Sequence, residues 1–282
     1  MTRGYLTHAF NSRDVDYLRM AYCLALSLRL TQSTVDRLTV LVEPGQHVPA
    51  HYREVFDAVV ELPVADRSRK DGWRVENFAE LYGISPYDES VTLDSDMLFF
   101  DDVSGWWDDF AGQEVVAATA VDYRGRAIAH NPLRRNLYEI GLPDLHNGFL
   151  YFRRSEPVRE LFATIAAHTR SWPETCRRHF GRTDVHYSSD CALLLALRDT
   201  GMEAGCVRAS AGGHPAFVHM KACLQGWPGV SDTERDWRAH TDYRFSEDLR
   251  LTIGGESIGL PFHYHVRDFV DDRLLAAYER SV

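Results

Sequence analysis

The first hundred residues alternate short apolar runs with amphipathic ones, and that rhythm limits the chain to few architectures. Gly4 to Phe10 reads as a strand. Asp14 to Leu30 reads as a helix that Asp14 can cap, with Tyr17, Ala21, Leu24 and Leu28 on one face. Leu38 to Val42 is a second strand, stopped by Pro44-Gly45, and Val59 to Leu62 a third. A helix is expected over Asp71 to Tyr82, ending at Gly83, before a strand from Val91 to Leu93. This β-α-β-α order predicts an α/β fold with a mostly parallel, Rossmann-like central sheet flanked by helices, because parallel strands need crossovers that cover both faces. Ligands of such sheets bind beyond the carboxyl ends of the strands.

Asp94-Ser95-Asp96 stands at such an end, between Val91-Thr92-Leu93 and Met97-Leu98-Phe99-Phe100. On an extended segment, residues two apart point the same way, so the two carboxylates can converge. Two adjacent anions are costly unless a cation lies between them. Hard carboxylate oxygens suit Mg²⁺ or Mn²⁺, which complete their shells with phosphate and water. A metal-bound diphosphate is the expectation, and with it an enzyme that uses a nucleotide sugar.

The second half is less regular. Val115 to Ala120 and Phe149 to Phe152 read as strands, the latter after His146-Asn147-Gly148. Pro157 to Thr169 and Asp190 to Arg198 read as helices, short strand-like pieces follow Gly201, and Asp271 to Arg280 closes the chain as a helix. One continuous domain over residues 1–282 is expected, with no sharp boundary.

The formal net charge of −10 argues against a surface that coats nucleic acid, although arginines pair at 134–135, 153–154 and 177–178. The five cysteines include no Cys-x-x-Cys pair, so neither a zinc site nor a disulfide framework is expected, and reduced thiols in a cytoplasmic setting fit best. Residues 1–5 lack an apolar stretch of the signal-peptide kind, and no apolar run approaches membrane-spanning length.

Four stretches in order give the chain a resemblance to the GT-A glycosyltransferases, and within them to family 8, the galactosyltransferase and glycogenin-like enzymes. They are Thr7-His8-Ala9-Phe10-Asn11, then Ser85-Pro86-Tyr87-Asp88 leading into Leu93-Asp94-Ser95-Asp96, then His146-Asn147-Gly148-Phe149-Leu150-Tyr151-Phe152, and Ser189-Asp190 followed by His219-Met220-Lys221 and Gly226-Trp227-Pro228. The family's Lys-Pro-Trp ending is missing here. The resemblance implies a donor half over 1–115 and an acceptor half over 116–282. It places the nucleotide at Thr7, His8, Ala9, Phe10 and Asn11, with cations at Lys70, Arg74 and Lys221 near the donor. Asp94 and Ser95 would hold the donor, and Asp94, Asp96 and His219 the Mn²⁺ or Mg²⁺; His263 and His265, which alternate on a strand-like segment, are rivals to His219. Asp190, Asp122, Asn147 and Gly148 would lie at the sugar. The implied reaction moves glucose or galactose from a UDP-sugar to a hydroxyl, with retention.

The acceptor reads as a sugar or glycan. A hydroxymethylated DNA base is the alternative, for which the arginine pairs and the tryptophans could supply backbone contacts and stacking surfaces. A nucleotidyltransferase would also use paired carboxylates, but Asn11-Ser12-Arg13-Asp14 is no glycine-rich phosphate loop.

Overall fold

A computed structural model describes residues 1–34, 37–62, 76–128, 135–203, 215–220, 230–231, 234 and 236–282, with the backbone alone at 76, 77 and 135. Strands β1 (Arg3–His8), β2 (Arg37–Val42), β3 (Ala58–Glu61) and β4 (Glu89–Leu93) are joined by helix α1 (Tyr17–Thr31) and by the short helical turns α2 (Ala50–Arg53) and α3 (Leu81–Ile84). After β5 (Met97–Leu98) come α4 (Trp106–Phe110), β6 (Val115–Val121), α5 (Arg135–Glu139) and β7 (Leu145–Arg153). Helices α6 (Glu156–Arg170), α7 (Trp172–Phe180) and α8 (Ser189–Asp199) precede β8 (Ala216–His219). The chain continues through β9 (Tyr243–Phe245), β10 (Leu251–Ile253), β11 (Glu256–Ser257), β12 (Phe262–His263) and α9 (Asp272–Ser281).

Nine strands form one sheet in the order β3-β2-β1-β4-β7-β6-β8-β12-β5, and β9 to β11 form a small antiparallel sheet. The large sheet is mostly parallel; β7 runs against β4 and β6, and β5 against β12. Successive residues of a strand face opposite sides, so Tyr5 joins the core under α1 and α9, and Leu6 the core under α6 and α8. Helices therefore cover both faces, as the alternation predicts.

The connectivity forces a curl. β4 and β5 are joined by Asp94-Ser95-Asp96, yet β7, β6, β8 and β12 stand between them in the sheet. Four peptide steps reach roughly 14 Å at most. The far edge of the sheet must swing round to the tip of β4, and it carries the ends of β8 and β12 with it.

Local details differ from the sequence expectations. The cap of α1 is Asp16, not Asp14: its carboxylate accepts the Arg19 N–H at 3.0 Å. Of the helix expected from Asp71, residues 71–75 lie outside the described ones; Glu76–Glu80 form a 3₁₀ turn that runs into α3. That helix passes Gly83 and stops at Ser85, which is extended because Pro86 comes next. His146, Asn147 and Gly148 lie inside β7 rather than before it, because pairing with β6 continues past the end of the β4 ladder, to His146 and Leu145. Asp271 caps α9 by accepting the Leu274 N–H at 2.7 Å. Cys23, Cys176 and Cys191 are buried thiols; Cys206 and Cys223 lie outside the described residues.

Candidate active site

Asp94 leaves the end of β4 and is tied to the neighbouring strand, its N–H donating to the Gly148 carbonyl at 3.0 Å. The 94–96 segment is a turn rather than an extension of the strand. The two carboxylates therefore meet through a third residue instead of by strand alternation. His263 Nε2 lies 2.9 Å from Asp96 Oδ2, and His263 Nδ1 lies 3.9 Å from Asp94 Oδ2. His265 Nδ1 is 3.8 Å from the same Asp96 oxygen.

Backbone pairing puts the histidines there. The Tyr264 N–H donates to the Asp96 carbonyl at 3.1 Å, and Trp237 Nε1 donates to the Tyr264 carbonyl at 2.9 Å. Tyr264 turns into the core, so its neighbours His263 and His265 face the other way, toward Asp96. His265 has a left-handed φ of 57°, which costs a non-glycine residue about 1–2 kcal/mol. Such strain persists where the surroundings over-determine a conformation, and it collects at functional sites.

Asp96 is largely withdrawn from water, its side chain 17% exposed against 45% for Asp94. Burial alone would raise its pKa, but the charge and hydrogen bonds of His263 and His265 outweigh that and hold the carboxyl well below its ordinary range. Asp96, His263 and His265 each offer one ligand atom, all within 4.8 Å of one another. Two ligands bonded to one ion at about 2.1 Å and at right angles stand about 3 Å apart, so the Asp96–His263 spacing fits a shared ion. His219, the histidine implied by the family resemblance, sits directly beside His263 through the β8–β12 pairing, with ring centroids 4.6 Å apart. His146 packs on His219 at 5.1 Å, and its Nε2 lies 3.7 Å from Asp144. Sequence reasoning passed over His146 as a site residue; its only signal was its place before Asn147-Gly148.

The opposite wall comes from β7 and α8. Asp190 Oδ1 accepts the Asn147 N–H at 2.8 Å. Ser188 caps α8, its hydroxyl accepting the Cys191 N–H at 3.1 Å, and the Asp190 carboxylate is used across the gap to β7. Gly148, Asn147 and Asp190 thus join Asp94 to the start of α8 in one chain of contacts.

The remaining sequence candidates have mixed places. Phe10 is buried in the core, with His8 edge-on at 5.3 Å. Tyr5 is also core, its hydroxyl accepting Trp107 Nε1 at 3.1 Å. Ala9 is held by backbone and by Gln46, which donates to its carbonyl at 2.7 Å. Asn11 secures the start of α1, accepting the Leu18 N–H at 2.8 Å and donating to Asp16 at 3.0 Å. Thr7 Oγ1 and His8 Nε2 are buried without a hydrogen-bond partner among the described residues, and burial lowers the His8 pKa to about 4. Ser95 is buried in the turn. Asp122 closes the turn after β6. It accepts the Arg124 and Arg126 N–H groups at 2.8 and 2.9 Å and pairs with the Arg126 guanidinium at 2.7 Å. Lys70, Arg74 and Lys221 lie outside the described residues.

The arginines at 153 and 154 line no groove. Arg153 pairs with Glu114, and Arg154 donates to the Ser85 and Tyr87 carbonyls, so both fasten the ends of β4 and β7.

This architecture is the GT-A glycosyltransferase fold. The glycosyltransferase GlyE of Streptococcus pneumoniae TIGR4, in its apo form, is similar at a TM-score of 0.51 and 12% identity, over 100% of this chain and 60% of its own length. This chain thus spans less than two thirds of GlyE. The galactosyltransferase LgtC in complex with donor and acceptor sugar analogs is similar at a TM-score of 0.49 and 15% identity, over 99% of this chain and 93% of that one. Mouse xyloside xylosyltransferase 1, in its apo form, has a TM-score of 0.48 and 12% identity, over 72% of this chain and 83% of that one. At these identities the likeness is one of fold. No family model and no curated protein matches the sequence.

Proposed function

We propose that this chain is a metal-dependent glycosyltransferase that moves a hexose, glucose or galactose, from a UDP-sugar to a hydroxyl acceptor with retention. The observation that carries the reading is the meeting of Asp94, Asp96, His263 and His265 at the strand-end rim of a GT-A sheet, beside Asn147 and Asp190. Uridine, hexose and retention rest on the family resemblance.

Asp96, His263 and His265 are the residues that would hold the ion, with Asp94 binding it or the donor ribose. Two imidazoles among the donors favour Mn²⁺ over Mg²⁺, which prefers oxygen. The ion supplies a Lewis acid that takes up charge on the departing nucleoside diphosphate. His219 packs against the His263 ring and keeps it in place, and His146 packs on His219 in turn. Asp190 holds the Asn147 backbone and presents a carboxylate to the sugar, where it can stabilise positive charge at the reacting carbon. Lys70, Arg74 and Lys221 complete the reading as cations for the diphosphate.

The donor half over 1–115 and the acceptor half over 116–282 share one site, since His263 and His265 come from the second and Asp94 and Asp96 from the first. A sugar or glycan acceptor fits better than a modified DNA base. Arg153 and Arg154 are consumed internally, and Trp107, Trp172 and Trp237 are buried with their ring N–H groups bonded. No helix among the described residues is long and apolar enough to cross a membrane.

The test offers each nucleotide sugar with Mn²⁺ and reads release of free diphosphate. UDP-glucose or UDP-galactose should give the highest rate, and NMR of the product should show the donor's anomeric configuration kept. Stabilisation by nucleoside triphosphates, with no turnover of any nucleotide sugar, would establish a nucleotidyltransferase instead.

A further inference from the structure

Helices α6, α7 and α8 each bring one side chain to the same place. His168 is in the last turn of α6, His179 in the last turn of α7, and Asp199 is the final residue of α8. Helix α7 begins at Trp172, directly after α6 ends at Arg170, so it is the C-terminal ends of α7 and α8 that add negative helix-end charge beside the Asp199 carboxylate.

The side chains converge accordingly. His168 Nε2 lies 3.1 Å and His179 Nε2 3.3 Å from the same oxygen, Asp199 Oδ2, and the three ligand atoms all fall within 4.8 Å of one another. The histidines are withdrawn from water, at 4% and 10% side-chain exposure, and Asp199 forms the rim at 25%. Neither imidazole makes a hydrogen bond through Nε2 to a described residue, although both atoms are buried. Close approach without bond alignment is what side chains show when they aim at a point between them. Two ligands bonded to a tetrahedral ion at about 2.05 Å stand about 3.3 Å apart, which matches both spacings. Thr175, itself buried, holds His168 from behind, its hydroxyl 3.2 Å from Nδ1, as outer partners of metal-binding histidines do. Arg178 reaches Asp199 at 3.5 Å from an exposed position, which compensates the carboxylate from outside and leaves the imidazoles unserved.

We propose that His168, His179 and Asp199 bind one divalent transition-metal ion of the zinc class, with a fourth position open to water, and that the ion clamps the ends of α6, α7 and α8. The missing Cys-x-x-Cys pair argued against zinc at the sequence level, but this site uses no cysteine. It stands at the far end of α8 from Asp190, nine residues or about 13 Å along the helix. A clamp there fixes the helix whose other end meets Asn147.

Cobalt(II) titration tests the site on the full chain after chelator treatment, in a His263→Ala background that removes the competing ligand at the other cluster. One equivalent of Co²⁺ should produce the visible absorption of a four-coordinate ion, and adding His179→Ala should abolish it. Zn²⁺ should raise the melting temperature of the His263→Ala chain, and Asp199→Asn should remove that rise. Thr175→Val should weaken Zn²⁺ binding about 10–100-fold. Circular dichroism checks each fold; if His179→Ala does not fold, Asp199→Asn carries the same comparison. A folded chain that gives no Co²⁺ absorption, or one whose absorption survives loss of His179 or Asp199, overturns the proposal and leaves three side chains sharing protons only.

Discussion

Gly148 stands directly against the carboxylate of Asp94: a Cβ at position 148 would lie 2.6 Å from Asp94 Oδ2. The approach is possible only without a side chain, and the Asp94 N–H bond to the Gly148 carbonyl holds the pair together. Gly148→Ala should therefore push Asp94 aside while leaving the buried strands intact. We expect the Mn²⁺ concentration for half-maximal activity to rise tenfold or more, with little change in melting temperature. An unaltered Mn²⁺ activation curve would show that Asp94 is not needed where it stands.

Asp96→Asn should cost turnover by about 10²-fold or more, the scale of losing one well-placed electrostatic partner in a dry site. The carbonyl that accepts from Tyr264 is untouched, so the circular dichroism spectrum should be unchanged. Near-normal turnover of this variant at saturating Mn²⁺ would sink the assignment.

The histidines separate by distance. His263→Ala and His265→Ala should each raise the Mn²⁺ requirement, His263 more, because it lies 2.9 Å from Asp96 against 3.8 Å for His265. His219→Ala should have the smallest effect of the three, acting only through the packing of His263. The reverse order would restore His219 as the ligand.

Asp190→Asn keeps an oxygen that can accept the Asn147 N–H but removes the charge. Turnover should drop at least tenfold with the donor KM nearly unchanged, and stability should stay within about 0.5 kcal/mol, as for changes that spare packing and bonding. If Asp190→Asn is fully active and Asp190→Ala is not, the residue only positions Asn147.

His8 makes stability depend on pH. Its imidazole has an ordinary pKa of 6.5, lowered by burial to about 4 in the folded chain. Between those values the unfolded chain binds the extra proton, so this contribution is complete above about pH 6.5 and is lost as pH falls toward 4. The shift corresponds to about 3 kcal/mol at most. Urea midpoints at pH 7 and pH 5 should differ less in His8→Gln than in the unsubstituted chain. Equal differences would mean that the ring is protonated in the fold.

Much of this was legible in the residue order. The alternation of β1, α1, β2, β3 and β4, the turn bearing Asp94 and Asp96, and the segment His146-Asn147-Gly148 all carry local signals that physical rules read directly. Errors arose where two residues could serve one purpose. Asp14 and Asp16 can each cap α1, and the bonds from Asn11 and Arg19 select Asp16. Arg153 and Arg154 look like surface charge until Glu114 and the Ser85 and Tyr87 carbonyls are found beside them.

By itself the chain's order determined the strands of the first half, the long helices α1, α6, α8 and α9 to within a few residues, and that two acids end a buried strand. It could not say which histidine those acids would meet. The family resemblance pointed to His219, with His263 and His265 as rivals; the places of His263 and His265 beside Asp96 follow from the pairing of β12 with β5 and β8. That pairing exists because the short link between β4 and β5 cannot span an open sheet with four strands between them. Closing the curl is a property of the whole sheet, and no stretch of residues read locally contains it.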